Sequence, residues 1–180
     1  MENYIPPYTI SNQIINLIAN ISSLLTEISF TNKVASNPKL RRENRVKTIQ
    51  ASLAIENNTL SLDQVTDIIN GKRVLGEPKE ICEVKNAFEA YESLLTLDQH
   101  SIKDLLYIHG VLMKELTKEA GTFRNVSVGI FAGEVLVHMA PPSNQISNLI
   151  FDLFNWLKST NDVHPLIKSC VFHYEFGSSR

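Results

Sequence analysis

The chain has 180 residues, 43% of them apolar and 20% charged, which is enough for one domain with a core and a helical extension. Seventeen basic residues against nineteen acidic ones leave a net charge of −2, so there is no electrostatic case for non-specific nucleic-acid or membrane binding. No apolar run approaches the ~20 residues of a membrane span, and the start MENYIPPYTI lacks a signal peptide, so a cytoplasmic protein is expected. Cys82 and Cys170 match no metal-ligand spacing and are expected to be buried small hydrophobes in a reducing compartment.

Helical periodicity dominates. Ile10, Ile14, Leu17, Ile18, Ile21, Leu24, Leu25 and Ile28 predict an amphipathic helix from about Thr9 to Phe30. Asn37-Pro38 opens a second helix, basic at first through Lys39, Arg41, Arg42, Arg45 and Lys47, then apolar at Ile49, Leu53 and Ile55. Ser61 with Gln64 forms a capping box for a short helix that Gly71 ends. A longer helix carries Ile81, Val84, Phe88, Tyr91 and Leu95. Ser101 with Asp104 opens the next, expected to run through Leu116 and end near Gly121.

Asn125–His138 breaks the pattern. Val126, Val128 and Ile130 alternate with small or polar residues, Ala132-Gly133 signals a turn, and Val135 and Val137 alternate beyond it, which is a β-hairpin signature. Pro141-Pro142 precedes a helix through Ile146, Leu149, Ile150, Leu153, Phe154 and Leu157. Asp162 is expected to cap a last helix with Leu166, Cys170 and Val171 on its apolar face. That helix should lead into more structure, yet the sequence reads Phe176-Gly177-Ser178-Ser179-Arg180 and stops.

Four segments together resemble the Fic (Fic/Doc, or Fido) family. Ser52-Leu53-Ala54-Ile55-Glu56-Asn57-Asn58 fits the inhibitory pattern of Ser or Thr, three residues, Glu, then Gly or Asn. Gly121-Thr122-Phe123-Arg124 with the Asn125–Val137 hairpin is similar to the approach to the family's flap. Ala140-Pro141-Pro142 before a helix ending in Trp156-Leu157 is the third segment, and His164-Pro165-Leu166-Ile167 through His173-Tyr174-Glu175-Phe176 is the fourth. The resemblance implies a mainly α fold: a Fic-type helical bundle with one β-hairpin, lacking the C-terminal part of the catalytic core. It divides the chain into a helical region, 1–95, with an inhibitory helix at about 38–57, a partial core, 96–176, and a tail or scar, 177–180.

In the family the last helix runs into His-Pro-Phe-x-(Asp/Glu)-Gly-Asn-Gly-Arg-x-x-Arg, and no such motif occurs in these residues. That motif supplies the base, the Mg²⁺-holding acid, the anion nest and the arginines that AMP transfer to a protein hydroxyl requires. His100, His109, His138, His164 and His173 are the available bases, and none precedes a Gly-rich turn. Hence no catalytic residue and no metal ligand is assigned. ATP and Mg²⁺ are the expected cofactors of an intact member, with neither bound productively by this chain.

Two control elements are implied. Ser52 and Glu56, i and i+4, share a helix face. By resemblance Glu56 would take the second motif Arg from the ATP γ-phosphate, with Ser52 and Asn57 completing the inhibitory set. The flap residues Val126, Ser127, Val128, Gly129, Ile130, Val135, Leu136 and Val137 would hold an extended target segment through main-chain hydrogen bonds. The expected partners are thus a target protein, with no specific nucleic acid and no membrane, and the apolar face of the last helix is open to self-association. The sequence supports an enzyme cut short before its motif. It also supports, as an alternative, a non-enzymatic fragment that inhibits a full-length relative.

Overall fold

The computed structural model describes residues 4–30, 37–126, 128–133 and 135–178. They are mainly helical: α1 (Asn12–Phe30), α2 (Pro38–Ile55), α3 (Leu62–Ile69), α4 (Pro78–Ser93), a 3₁₀ turn at Leu94–Thr96, α5 (Ile102–Leu112), α6 (Ser143–Ser159) and α7 (Pro165–Ser178). Strands β1 (Gly129–Ala132) and β2 (Val135–Met139) pair antiparallel between α5 and α6. The chain divides into two units, one of residues 11–97 and 107–121, the other of 1–10, 98–106 and 122–180.

In the first unit α2, α3 and α4 pack on one another. Val46 and Ile49 of α2, Leu60, Val65 and Ile68 around α3, and Val84 and Ala87 of α4 form its core, with Leu53, Ile81, Phe88 and Tyr91 against it. The helix boundaries follow local chemistry. Asn37 Oδ1 accepts from the Lys39 and Leu40 amides ahead of Pro38, and Ser61 and Gln64 close a reciprocal capping box. Gly71, at φ +77°, ends α3: its N–H donates to Ile68 O and that of Lys72 to Asp67 O.

Helix α1 has the expected span to within three residues, but Ile15, Leu17, Ile21, Leu24, Leu25 and Ile28 are exposed. Helix α5 ends at Leu112, short of Leu116 and of the expected end near Gly121. The buried Asn86 amide takes up the Leu112 and Lys114 carbonyls at 3.1 and 2.7 Å, and Glu115 turns to φ +63°. Periodicity cannot reveal a side chain from another helix that satisfies the terminal carbonyls.

In the second unit Ile146, Ile150 and Phe154 of α6 form a cluster with Ile102, Leu105, Phe123, Phe172 and Phe176. Edge-to-face Phe154–Phe172 and stacked Phe172–Phe176 contacts join α6 to α7. Ser101 Oγ accepts from the Asp104 amide, but Asp104 Oδ2 takes the Asp98 N–H, so the expected capping box is half formed. His164 Nδ1, rather than Asp162, accepts an N–H at the start of α7, from Leu166. Cys170 is exposed and Cys82 half-buried, which corrects the expectation that both are buried. The core side of α7 is taken by Phe172 and Phe176, leaving Cys170 outside it.

Candidate functional site

The Ser52–Glu56 stretch forms the last turn of α2 and its C-cap. Val46, Ile49 and Leu53 face the core, and the alternate face carries Ser52 and Glu56, both exposed. The i,i+4 spacing therefore aims two polar groups away from the cluster that holds the helix. The Glu56 carboxylate has no hydrogen-bond or ion-pair partner among the described residues.

The turn after Glu56 accounts for the Gly-or-Asn position. Asn57 sits at φ +68°, the left-handed region that Gly enters freely and Asn tolerates better than other residues. This turn lets Asn57 N–H reach Ala54 O at 3.1 Å and Asn58 N–H reach Leu53 O at 3.0 Å. These two bonds satisfy carbonyls that the end of a helix otherwise leaves open.

Asn58 then fastens the end to α4. It is buried; its Nδ2 donates to Glu80 O at 3.2 Å and Glu83 Oε2 at 2.9 Å, and its Oδ1 accepts from Leu60 N–H at 3.1 Å. Sequence reasoning gave Asn58 no role. The available signal was the second Asn of the pair, a residue type that bonds nearby backbone when a helix stops.

The hairpin starts later than its alternation suggested. The ladder pairs Gly129 with Met139, Ile130 with His138, Phe131 with Leu136 and Ala132 with Val135, with an irregularity between Ile130 and Phe131. Val126 and Val128 precede it and are exposed, although Ala140 N–H still donates to Val128 O at 3.0 Å. Ser127 lies outside the described residues, and Ile130, Val135, Leu136 and Val137 are described by their backbone alone. Gly133, at φ +64°, supplies the positive φ of a tight hairpin turn, and a Cβ there would meet nothing within 4 Å. Conformation, not space, accounts for the glycine.

Among the histidines whose side chains are described, His109 Nδ1 accepts the Gly121 N–H at 3.1 Å, His164 caps α7 and His100 lies 3.6 Å from Asp98. His173 is exposed. No group of three metal-ligating side chains exists among the described residues, and no described helix is long and apolar enough to cross a membrane. An open groove of about 370 Å³, lined by Ile68, Ile69, Lys85, Phe88, Glu89 and Glu92, contains no glycine turn to cradle a phosphate.

Sequence reasoning also missed Tyr4, whose hydroxyl donates to Glu175 Oε2 at 2.6 Å. Burial and then the bonded carboxylate push the phenol up to about 12. A link across 171 residues leaves no local sequence signal.

Comparison with known proteins adds to this geometry. The Fic/DOC family model matches residues 95–179. The chain is 26% identical over 147 residues to "Protein adenylyltransferase Fic" of Culex quinquefasciatus, a match covering 76% of this chain and 28% of that protein. It is 54% identical, with a TM-score of 0.89, to the crystal structure of a Fic family protein from Desulfovibrio desulfuricans G20, covering 96% of this chain and 53% of that one. The chain thus spans about half the length of its solved relative and less of the Culex one.

Proposed function

With residues 95–179 a Fic/DOC-family segment, we propose that the intact protein transfers AMP from ATP to a hydroxyl of a target protein, restrained by Glu56. On this reading Glu56 competes with the ATP γ-phosphate for an arginine, Ser52 lies against the same site, and the β1–β2 hairpin registers the target chain. The Culex relative is itself named an adenylyltransferase. The observation that carries the restraint is the unpartnered Glu56 carboxylate, presented on a helix end fixed by Asn57 and Asn58.

ATP and Mg²⁺ would serve the intact protein, and the described residues include no group of three metal-ligating side chains. No residue of this chain is therefore assigned to hold either. Two free cysteines, one exposed, accord with a cytoplasmic setting.

A second reading rests on the same free carboxylate. A chain that presents Glu56 but lacks the motif inhibits a full-length relative in trans. Titration of this chain into an active Fic enzyme with ATP and a substrate protein tests it. Dose-dependent inhibition that Glu56→Gly abolishes supports trans action; no inhibition, or an unaffected variant, sinks it. The cis restraint is tested by fusing residues 1–176 to a motif-bearing Fic segment, where Glu56→Gly should raise AMP transfer.

A further inference from the structure

Isolated two-stranded hairpins are marginal in water, so a hairpin of four and five residues needs an anchor. Among the residues at its base whose side chains are described, Val126, Val128 and Met139 are exposed. The side chain that crosses the stem is Arg124. Its Nη1 donates to Val126 O at 2.8 Å on the entering chain, and its Nη2 to Pro141 O at 2.5 Å on the leaving chain. The neighbouring Phe123 packs on the Ile146–Ile150–Phe154 cluster, and Ala140, beside Pro141, is buried.

We propose that Arg124 is the positioning residue of the flap, a guanidinium fork that ties the two necks of the hairpin to each other beside Phe123, which packs on the α6 cluster. This rests on the reading of the hairpin as a target-docking edge, and it adds the residue that sets where the edge stands. The chemistry selects arginine. Two N–H groups in a fixed planar fork span two carbonyls on the chains entering and leaving the hairpin, whereas an ammonium is a single point donor. The side chain also has no carboxylate partner among the described residues, and its Nε is buried without an acceptor there. Charge pairing therefore does not explain its place; the two carbonyls do. Arg124 acts on the target only through the strands, by fixing the edge that pairs with it.

Amide hydrogen exchange on the 180-residue chain tests this without any target, so its outcome is separable from that of the docking reading. Arg124→Gln is expected to speed exchange of the bonded hairpin amides and of Ala140 N–H at least tenfold, while α6 amides keep their protection. Arg124→Lys should fail to restore the hairpin, and wild-type Arg124 should show resolved, slowly rotating Nη protons by NMR. Unchanged hairpin protection in the Gln variant, full rescue by Lys, freely averaged Nη signals, or equal loss of protection in α6 would each overturn the proposal.

Discussion

Asn57 gives the sharpest test of how the C-terminal end of α2 is built. Its φ of +68° costs an ordinary L-residue roughly 1–2 kcal/mol, part of which Asn avoids. Asn57→Ala is therefore expected to destabilise the first unit by about 1 kcal/mol, and Asn57→Val, with its branched Cβ, by about 2 kcal/mol. Asn57→Gly removes the strain but adds freedom to the unfolded chain, so the two effects should leave it within about 0.5 kcal/mol of wild type. Urea unfolding followed by circular dichroism reads these directly. With a slope of about 2 kcal/mol/M, Ala should lower the midpoint by about 0.5 M and Gly should barely move it.

The rank order carries the reasoning. Gly and Asn should lead, Ala should come next and Val last. An Ala variant as stable as wild type would mean that the turn relaxes out of the left-handed region at no cost. The account of Gly-or-Asn after Glu56 would then be wrong. In an inhibition assay the same ~1 kcal/mol limits the loss of ordered Glu56 to about fivefold, so Ala should weaken the restraint without abolishing it.

Asn58→Ala strips three hydrogen bonds from a buried position and strands the Leu60 N–H, so a loss of about 2–3 kcal/mol is expected by urea titration. Leu153, 2% exposed on α6, should cost about 2–5 kcal/mol as Leu153→Ala, measured by loss of thermal stability. Tyr4 holds its proton to about 12 against an ordinary phenol's 10.0, so the stability it lends is complete below pH 10 and is lost as pH rises toward 12. Tyr4→Phe should flatten that alkaline decline, and an unchanged pH profile would remove the Tyr4–Glu175 bond from the account.

The parts of the fold that were legible in the sequence are those set by local chemistry. Asn37-Pro38, the Ser61–Gln64 box and Gly71 each place a helix end through bonds within a few residues. Misjudged features depended on distant groups. Asn86 ends α5 from α4, and Asp98 takes the carboxylate that would have closed a capping box with Ser101. Cys170 lies on a helix whose packed positions are chosen by α6. At the candidate site the Ser52–Glu56 spacing and the Asn57 position were readable, because each depends on one helix and its end. Asn58 and Arg124 were not, because their partners lie on other elements or across a hairpin.

That division bears on trans inhibition. A peptide of residues 38–58 contains Ser52, Glu56 and Asn57 but none of the α4 contacts that hold Asn58. Most helical stability in a protein comes from tertiary packing, which the peptide lacks, so it must spend binding energy on ordering its last turn. The folded chain has already met that cost through Ile49, Leu53 and Asn58. If Glu56 inhibits in trans, the folded chain should do so at concentrations at least about tenfold lower than the peptide, given a nucleation constant near 10⁻³. Equal potency in the same AMP-transfer assay would mean that the α2 end is remade on binding, and that the rigidity of Asn57 and Asn58 has no part in the restraint.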